Sequence, residues 1–212
     1  MFKNLKIGVR LGLGFGIVLA LLLIISITSI SRIAALNEST QLIVDDRMPK
    51  IEMASEIQEN TLVMGRALRN LILSNDKNFE KTQLYTINNS RKRNGEILDK
   101  LRPLIQTPEG KAAMEKVNEA RAKYNTALET LLPLAHSTSP KYNQAKAIAF
   151  LFTDLTPPAN DYVVKNKEFS ELQKSQAQKA GKDSIEAART AQMLVIAASI
   201  IGFIVGIARL SN

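Results

Sequence analysis

Two arginines interrupt otherwise apolar heptad patterns in the middle of the sequence. Arg91 and Arg121 both fall where a helix bundle places core side chains. A buried cation is costly unless it is paired, so each needs an anion. A guanidinium group binds a carboxylate through two parallel hydrogen bonds, each contributing about 1.5–3 kcal/mol. Two interpretations remain open: an internal salt bridge to an acid such as Asp154 or Glu119, or binding of a diffusing small carboxylate.

Three further residues are candidate ligand contacts. Tyr124 follows Arg121 by three residues, which on a helix places its phenol on the same face. The alternative is a core aromatic whose hydroxyl reaches the rim. Thr153 and Thr156 precede Pro157-Pro158, which free backbone groups from the helical ladder and so offer ligand contacts. An ordinary helix kink is the alternative there.

A second cationic pair, Arg66 and Arg69, shares a helix face with Leu62 and Leu73. The same helix also carries a separate apolar seam, so it needs two partners. We infer that this second face meets another copy of the chain in a homodimer with its two-fold axis along the bundle. Four facing cations would then require a counter-anion. Packing of the leucines within one wide bundle, with solvated arginines, is the alternative.

The composition argues against an enzyme. Cysteine is absent and His136 is the single histidine, which excludes thiol chemistry and nearly excludes zinc sites. No nucleophile–base pair or carboxylate dyad stands out, so we expect no catalytic residue, no metal and no cofactor. The basic run at residues 91–93 has no stacking aromatics around it, so we expect no nucleic-acid binding.

Two uncharged segments, residues 11–31 and 191–208, are long enough to cross a bilayer as helices. Of the net charge of +8, only +3 lies between residues 33 and 190, a segment that contains 23 basic and 20 acidic residues. The other five positive charges flank the two segments; they are Lys3, Lys6, Arg10, Arg32 and Arg209. The positive-inside rule therefore places residues 1–10 and 209–212 in the cytoplasm and residues 32–190 outside it.

Turn-forming residues divide the segment between the spans into four parts, with breaks at residues 74–76, 106–110 and 136–140. Apolar residues spaced three and four apart within each part predict packed helices. We therefore predict an all-α fold: an antiparallel up-down-up-down four-helix bundle whose first and last helices are continuous with two transmembrane helices. The predicted seam of the last helix is Ala145, Ile148, Phe152, Leu155, Ala159, Tyr162, Asn166 and Phe169, kinked at the two prolines.

This arrangement resembles the sensory half of bacterial methyl-accepting chemotaxis receptors that have a four-helix-bundle ligand-binding domain. The resemblance covers a basic start, a glycine-containing first span, Arg47-Met48-Pro49 early in the outer segment, and a second span. Residues 119–125 look like the third-helix Arg-x-x-Tyr element of carboxylate-binding members. Arg66 and Arg69 look like the first-helix arginines that hold a ligand carboxylate across the dimer face in the aspartate-sensing type. Thr153 or Thr156 falls where the fourth-helix contacts of that type lie.

The resemblance implies a chemoreceptor sensory module, multi-pass in the bacterial inner (cytoplasmic) membrane with a periplasmic central domain. It would bind an amino acid or a di- or tricarboxylate, near the dimer face or inside one bundle, and pass a helix displacement across the membrane. Such receptors continue into a HAMP linker and a cytoplasmic signalling coiled coil, and this sequence ends three residues after Arg209. We therefore expect contact with kinase-coupling partners only through a module absent from this chain. The alternatives are the sensory half of a histidine kinase or diguanylate cyclase, and a structural membrane-anchored bundle.

Overall fold

The computed structural model describes the backbone of residues 7–210, and not the side chains of residues 7, 10, 11, 13 and 205–210. The predicted cytoplasmic charges at Lys3, Lys6, Arg10 and Arg209 therefore lie outside what is described. The chain forms two compact units. Val44–Gln176 make the first, and the described residues up to Ile43 together with those from Ala177 make the second.

The described residues form long helices joined by three short connections. The elements in chain order are α1 (Ile7–Gln41), a π-helical segment (Leu42–Arg47), α2 (Met48–Leu73), α3 (Lys77–Leu101), a 3-10 turn (Arg102–Leu104), α4 (Pro108–Ala135), α5 (Gln144–Phe150), a second π-helical segment (Leu151–Leu155) and α6 (Thr156–Leu210). Helix α2 packs against α3, and α4 packs against α5 and the second π segment. The prediction of an all-α four-helix bundle with two long apolar helices at its ends is confirmed.

Capping residues explain where the helices of the bundle begin. The Asp76 carboxylate accepts hydrogen bonds from the backbone N–H groups of Asn78 and Phe79 at 2.8 and 3.3 Å. The side chains of Thr107 and Asn143 cap the starts of α4 and α5 in the same way. Each cap satisfies backbone donors that the first turn of a helix leaves free. The three breaks therefore lie where turns were predicted, although α4 already begins at Pro108, within the second predicted break, and the third break extends to residue 143.

The core of the bundle follows the predicted seam of α2. Its six positions are all buried; they are Ala54, Ile57, Thr61, Met64, Leu68 and Leu71. In α4 the apolar spacing predicts a seam that is also buried, except for Arg121, which is half-buried; its members are Met114, Val117, Arg121, Tyr124, Leu128, Leu131 and Ala135. Burying each leucine or isoleucine contributes roughly 1.5–3 kcal/mol, so these seams hold the helices together.

The predicted seam of the last helix is wrong in its first half. Ala145, Ile148 and Phe152 are exposed, and the buried positions are instead Ala147 and Leu151, one residue earlier along the heptad. The cause is the π segment at Leu151–Leu155, where the Thr156 N–H bonds to the Leu151 carbonyl five residues back. A π segment adds one residue to a turn and so shifts every position before it. The two prolines lie directly after it, in the first turn of α6.

Two helices of the described chain are long and apolar enough to cross a membrane. They run from Gly14 to Leu73 and from Gln144 to Ile204, with apolar windows of mean hydropathy 2.4 and 1.7. Those windows are 0% and 6% buried, so their side chains are free to contact lipid. This is compatible with a membrane-anchored sensor. The limits at residues 11–31 and 191–208, and the orientation in the membrane, stay predictions.

Candidate functional site

The outer face of α2 carries an exposed heptad strip, which we call the α2 strip. Its members are Glu52, Ser55, Glu59, Leu62, Arg66, Arg69 and Leu73, spaced three and four residues apart and all exposed. Leu62 and Leu73 are 60% and 68% exposed, so no other helix of the described chain covers them. Among the described residues, no carboxylate lies within 4.0 Å of the Arg66 or Arg69 guanidinium. The α2 strip is thus a largely polar face whose second half, residues 62–73, carries two uncovered leucines and two arginines without an internal salt bridge.

Hydrogen bonds between α2 and the last part of the bundle fix which residues lie level with these arginines. Gln144 Nε2 donates to the Ile72 carbonyl at 2.7 Å, and Asn166 Nδ2 donates to the Ala54 carbonyl at 2.5 Å. Because the helices are antiparallel, interpolation between these pairings places residues 66–69 level with about residues 148–151, where α5 meets the π segment. Arg66 therefore lies close to the level of Thr153, whereas Arg69 lies further along, beside α5.

The two predicted threonines use their hydroxyl groups within their own helix. Thr153 Oγ1 donates to the Ala149 carbonyl at 3.0 Å and also contacts the Asp154 carboxylate. Thr156 Oγ1 donates to the Leu151 carbonyl at 2.6 Å. Thr153 is exposed and Thr156 half-buried, so a ligand reaches the first more easily. The hydrogen atom of each hydroxyl is already used in a hydrogen bond within the helix, but the oxygen keeps a lone pair that can accept a hydrogen bond from a ligand.

Arg91 has a partner within the chain. Its Nη2 lies 2.5 Å from Oε1 of Glu129 on α4, and its side chain is 30% exposed. The acid is Glu129 and not the Asp154 or Glu119 considered from the sequence. The error arose because α3 and α4 are antiparallel neighbours, whose pairing register the sequence alone does not give. This internal salt bridge supplies the anion that Arg91 was expected to need.

Arg121 has a different environment, in a surface cleft along α4 beside the 3-10 turn that follows α3. The cleft has a volume of about 420 Å³ and is lined by Arg102, Glu115, Asn118, Arg121, Ala122 and Asn125. Arg121 is half-buried, and within the described chain no carboxylate lies within salt-bridge distance of it. Its guanidinium lies against α3 at Gly95, where Nη2 would be 2.9 Å from an added Cβ atom. This cleft holds two guanidinium groups, two amides and one acid.

Tyr124 lies in the core and not in this cleft. It is 1% exposed, and its ring stacks on that of Tyr162 with centroids 6.0 Å apart. Burial raises the pKa of both phenols above the ordinary value, opposed by the positive charge of Arg69 for Tyr124 and of Arg121 for Tyr162. The Tyr124 ring therefore acts as a core aromatic, the alternative considered from the sequence.

The structure does not bring the seven predicted site residues together. Arg66 and Arg69 lie on the α2 strip, whereas Arg91 and Arg121 lie along the contact between α3 and α4. Sequence reasoning missed Arg102, Asn118 and Asn125, which line the Arg121 cleft. One available signal was Gly95, since a glycine inside a helical pattern indicates a close approach to the backbone.

An antiparallel four-helix bundle with a long apolar helix at each end defines the structural class of this protein, and this fold by itself does not fix a function. Residues 4–188 match the family model of the four helix bundle sensory module for signal transduction. The match spans most of the chain, so the protein belongs to this family and is a four-helix-bundle sensory module. No curated protein matches the chain.

Proposed function

We propose that this chain is the sensory module of a chemotaxis receptor in the bacterial inner membrane, with its bundle in the periplasm. Two copies pair through the α2 strip and bind a small carboxylate, an amino acid or a di- or tricarboxylate, between Arg66 and Arg69 of both chains. The observation that carries the proposal is the pair of unpartnered arginines on a strip whose leucines are uncovered. Thr153, close to the level of Arg66, is the contact expected from the last part of the bundle.

The charges at one end of the strip explain why the pair needs an anion, because Glu52 and Glu59 lie about two or more helical turns away from Arg66. Two chains anchored in one membrane pack in parallel about a two-fold axis, so each residue of the strip lies level with its own copy. Arg66 and Arg69 then bring four positive charges together. Two unit charges about 4 Å apart near a protein surface repel by about 4 kcal/mol at an effective dielectric of 20. A bound carboxylate replaces this repulsion with charge-assisted hydrogen bonds.

Ligand binding and pairing are therefore linked. An anion that binds only between two chains shifts the equilibrium towards the pair, and at a concentration 100 times its Kd it contributes about 2.7 kcal/mol. The ligand selects between two arrangements of the helices only by its differential affinity for them. Helix α6 begins beside the π segment and continues to Leu210, so a displacement of about 1–2 Å at its start is carried along this one helix.

Calorimetry on the full chain in lipid nanodiscs tests the proposal. Titration with amino acids and with di- and tricarboxylates should reveal one bound ligand per two chains that is lost when Arg66 and Arg69 are replaced. Arg66→Ala and Arg69→Ala should each weaken binding by about tenfold or more, since each removes charge-assisted hydrogen bonds. Lys81→Ala, which removes an exposed cation from α3, is the matched control and should leave the Kd unchanged.

Two results would overturn the proposal. If none of these carboxylates bound, the bundle would act as a structural brace. If the arginine variants bound as tightly as the Lys81 variant, the α2 strip would not be the ligand site. Salt dependence gives an independent check, because binding through surface guanidinium groups weakens as ionic strength rises.

A further inference from the structure

The cleft on α4, beside the turn that follows α3, is another place where the described chain presents guanidinium groups that have no internal salt bridge. Arg121 comes from α4 and Arg102 from the 3-10 turn that follows α3. We propose that this cleft is a second binding site, complete within one chain, for a small dicarboxylate that carries a hydrogen-bond donor between its two acidic groups. The site deepens the proposed sensory function, on which its role in signalling rests.

The contrast with Arg91 shows that Arg121 is left free by the residues around it. Both arginines lie at the same interhelical contact, but Arg91 is neutralised by Glu129 of α4. On α4 the neighbours of Arg121 three residues before and four residues after are the positions that face it on the helix. They are Asn118 and Asn125, both half-buried and both lining the cleft. Amides leave the charge uncompensated and offer N–H donors to an anion.

Gly95 holds the Arg121 guanidinium in place. With no side chain at this position, the planar group lies directly against the α3 backbone, and an added Cβ would approach Nη2 to 2.9 Å. This distance is below normal contact, so any larger residue would push the guanidinium away. Gly95 is thus a positioning residue: it touches the arginine and leaves the nitrogen atoms of its outer edge free for a ligand.

Glu115 decides the class of ligand. It lines the same cleft, so the cleft carries two positive charges and one negative charge. A plain dianion would be attracted by the arginines but would leave Glu115 facing its carbon chain. A dicarboxylate with a hydroxyl or ammonium group fits better, because an ionised carboxylate only accepts hydrogen bonds and needs a donor. The volume of about 420 Å³ accommodates a four-carbon acid.

The test uses the full chain with both α2-strip arginines removed, so that the first site cannot contribute. In the Arg66→Ala/Arg69→Ala protein in nanodiscs, calorimetry should show malate bound at one per chain. Malate should bind about tenfold more tightly than succinate, because the hydroxyl donates to the Glu115 carboxylate. Aspartate in place of malate distinguishes an ammonium donor from a hydroxyl donor.

Three added substitutions separate the roles. Arg121→Ala should reduce malate affinity at least tenfold. Gly95→Ala should reduce it by a smaller factor, because the end of the flexible Arg121 side chain has to shift. Gly65→Ala is the matched control without effect, because the nearest atom to an added Cβ there, at an ordinary 3.9 Å, belongs to Arg69, which this background lacks. Glu115→Gln should remove most of the preference for malate over succinate. Far-UV circular dichroism confirms that each variant keeps its helices.

The outcomes distinguish this proposal from the previous one. Absence of malate binding in the double variant, or equal affinity with and without Arg121, would overturn the cleft site whatever the α2 strip does. Equal effects of Gly95→Ala and Gly65→Ala would overturn the positioning role. Unchanged ligand preference in Glu115→Gln would overturn the assigned ligand class. By contrast, if removing Arg66 and Arg69 left wild-type binding unchanged at one ligand per chain, the α2-strip proposal would fail and the cleft would stand.

Discussion

The Tyr162 hydroxyl gives the sharpest test of the packing in the bundle. Tyr162 is 1% exposed, and among the described residues its hydroxyl oxygen has no hydrogen-bond partner. Leaving a buried polar group unsatisfied costs about 1–3 kcal/mol. Replacing Tyr162 with phenylalanine removes that group and keeps the ring that stacks on Tyr124. We therefore expect Tyr162→Phe to stabilise the protein.

The size of the effect follows from what the substitution leaves unchanged. The ring stays buried and stacked, so only the hydroxyl contributes, and the small space it leaves reduces the gain through lost packing contacts. A net gain of about 1 kcal/mol is expected. For a chain of this length that corresponds to a rise in Tm of about 2–4 °C.

Thermal unfolding of the full chain in detergent, followed by far-UV circular dichroism at one fixed scan rate, measures this change. Tyr124→Phe is the matched control, because its ring belongs to the same stack but its hydroxyl is not among the fully buried unpaired atoms of the described chain. It should shift the Tm by less than about 1 °C. A Tyr162→Phe protein that melts several degrees below wild type would refute the reasoning, since the hydroxyl would then have a stabilising partner.

Three further predictions concern stability. Because burial raises the pKa of Tyr124 and Tyr162, the folded state holds their protons more tightly than the unfolded state. The free energy of unfolding should therefore be constant below the ordinary pKa of 10.0 and fall above it, by up to about 1.4 kcal/mol per pH unit for each tyrosine. Denaturant titrations at pH 9–12 measure this decrease. Leu68→Ala, at a position that is 0% exposed, should cost about 2–5 kcal/mol, and a loss below 1 kcal/mol by denaturant titration would mean a loose core. Asp76→Ala removes the cap of α3 and should cost about 1 kcal/mol by the same titration, with Asp76→Asn close to wild type.

The fold could be predicted because its signals are local and repeated. Apolar residues recur at helical spacing, and Asp76 and Thr107 mark helix starts through their own side chains. The seam of the last helix is the exception. The π segment before Pro157-Pro158 adds a residue to the turn, so a heptad extended through it predicted Phe152 as buried in place of Leu151. A backbone insertion of this kind changes no residue type, so no pattern of apolar spacing shows it.

The sites were harder to predict because they depend on pairing across helices. Arg66 and Arg121 stood out as cations in or beside apolar patterns, and both proved free of an internal acid among the described residues. Arg91 gave the same signal, yet Glu129 neutralises it. What separates these arginines is the register between neighbouring helices, which sets the residue opposite each of them. Arg102 belongs to no heptad pattern, so only the structure places it in the cleft.

In the proposed assembly, the α2 strip joins two copies of the chain around an anion. The chain has no cysteine, so a single Leu62→Cys substitution creates one reporter on the strip. In vesicles, mild oxidation should cross-link this variant to a disulfide dimer, and a bound dicarboxylate should change the rate of cross-linking. Tyr85→Cys, on α3 and 72% exposed, is the control and should react far more slowly. Equal cross-linking at both positions, or none at Leu62→Cys, would contradict the account.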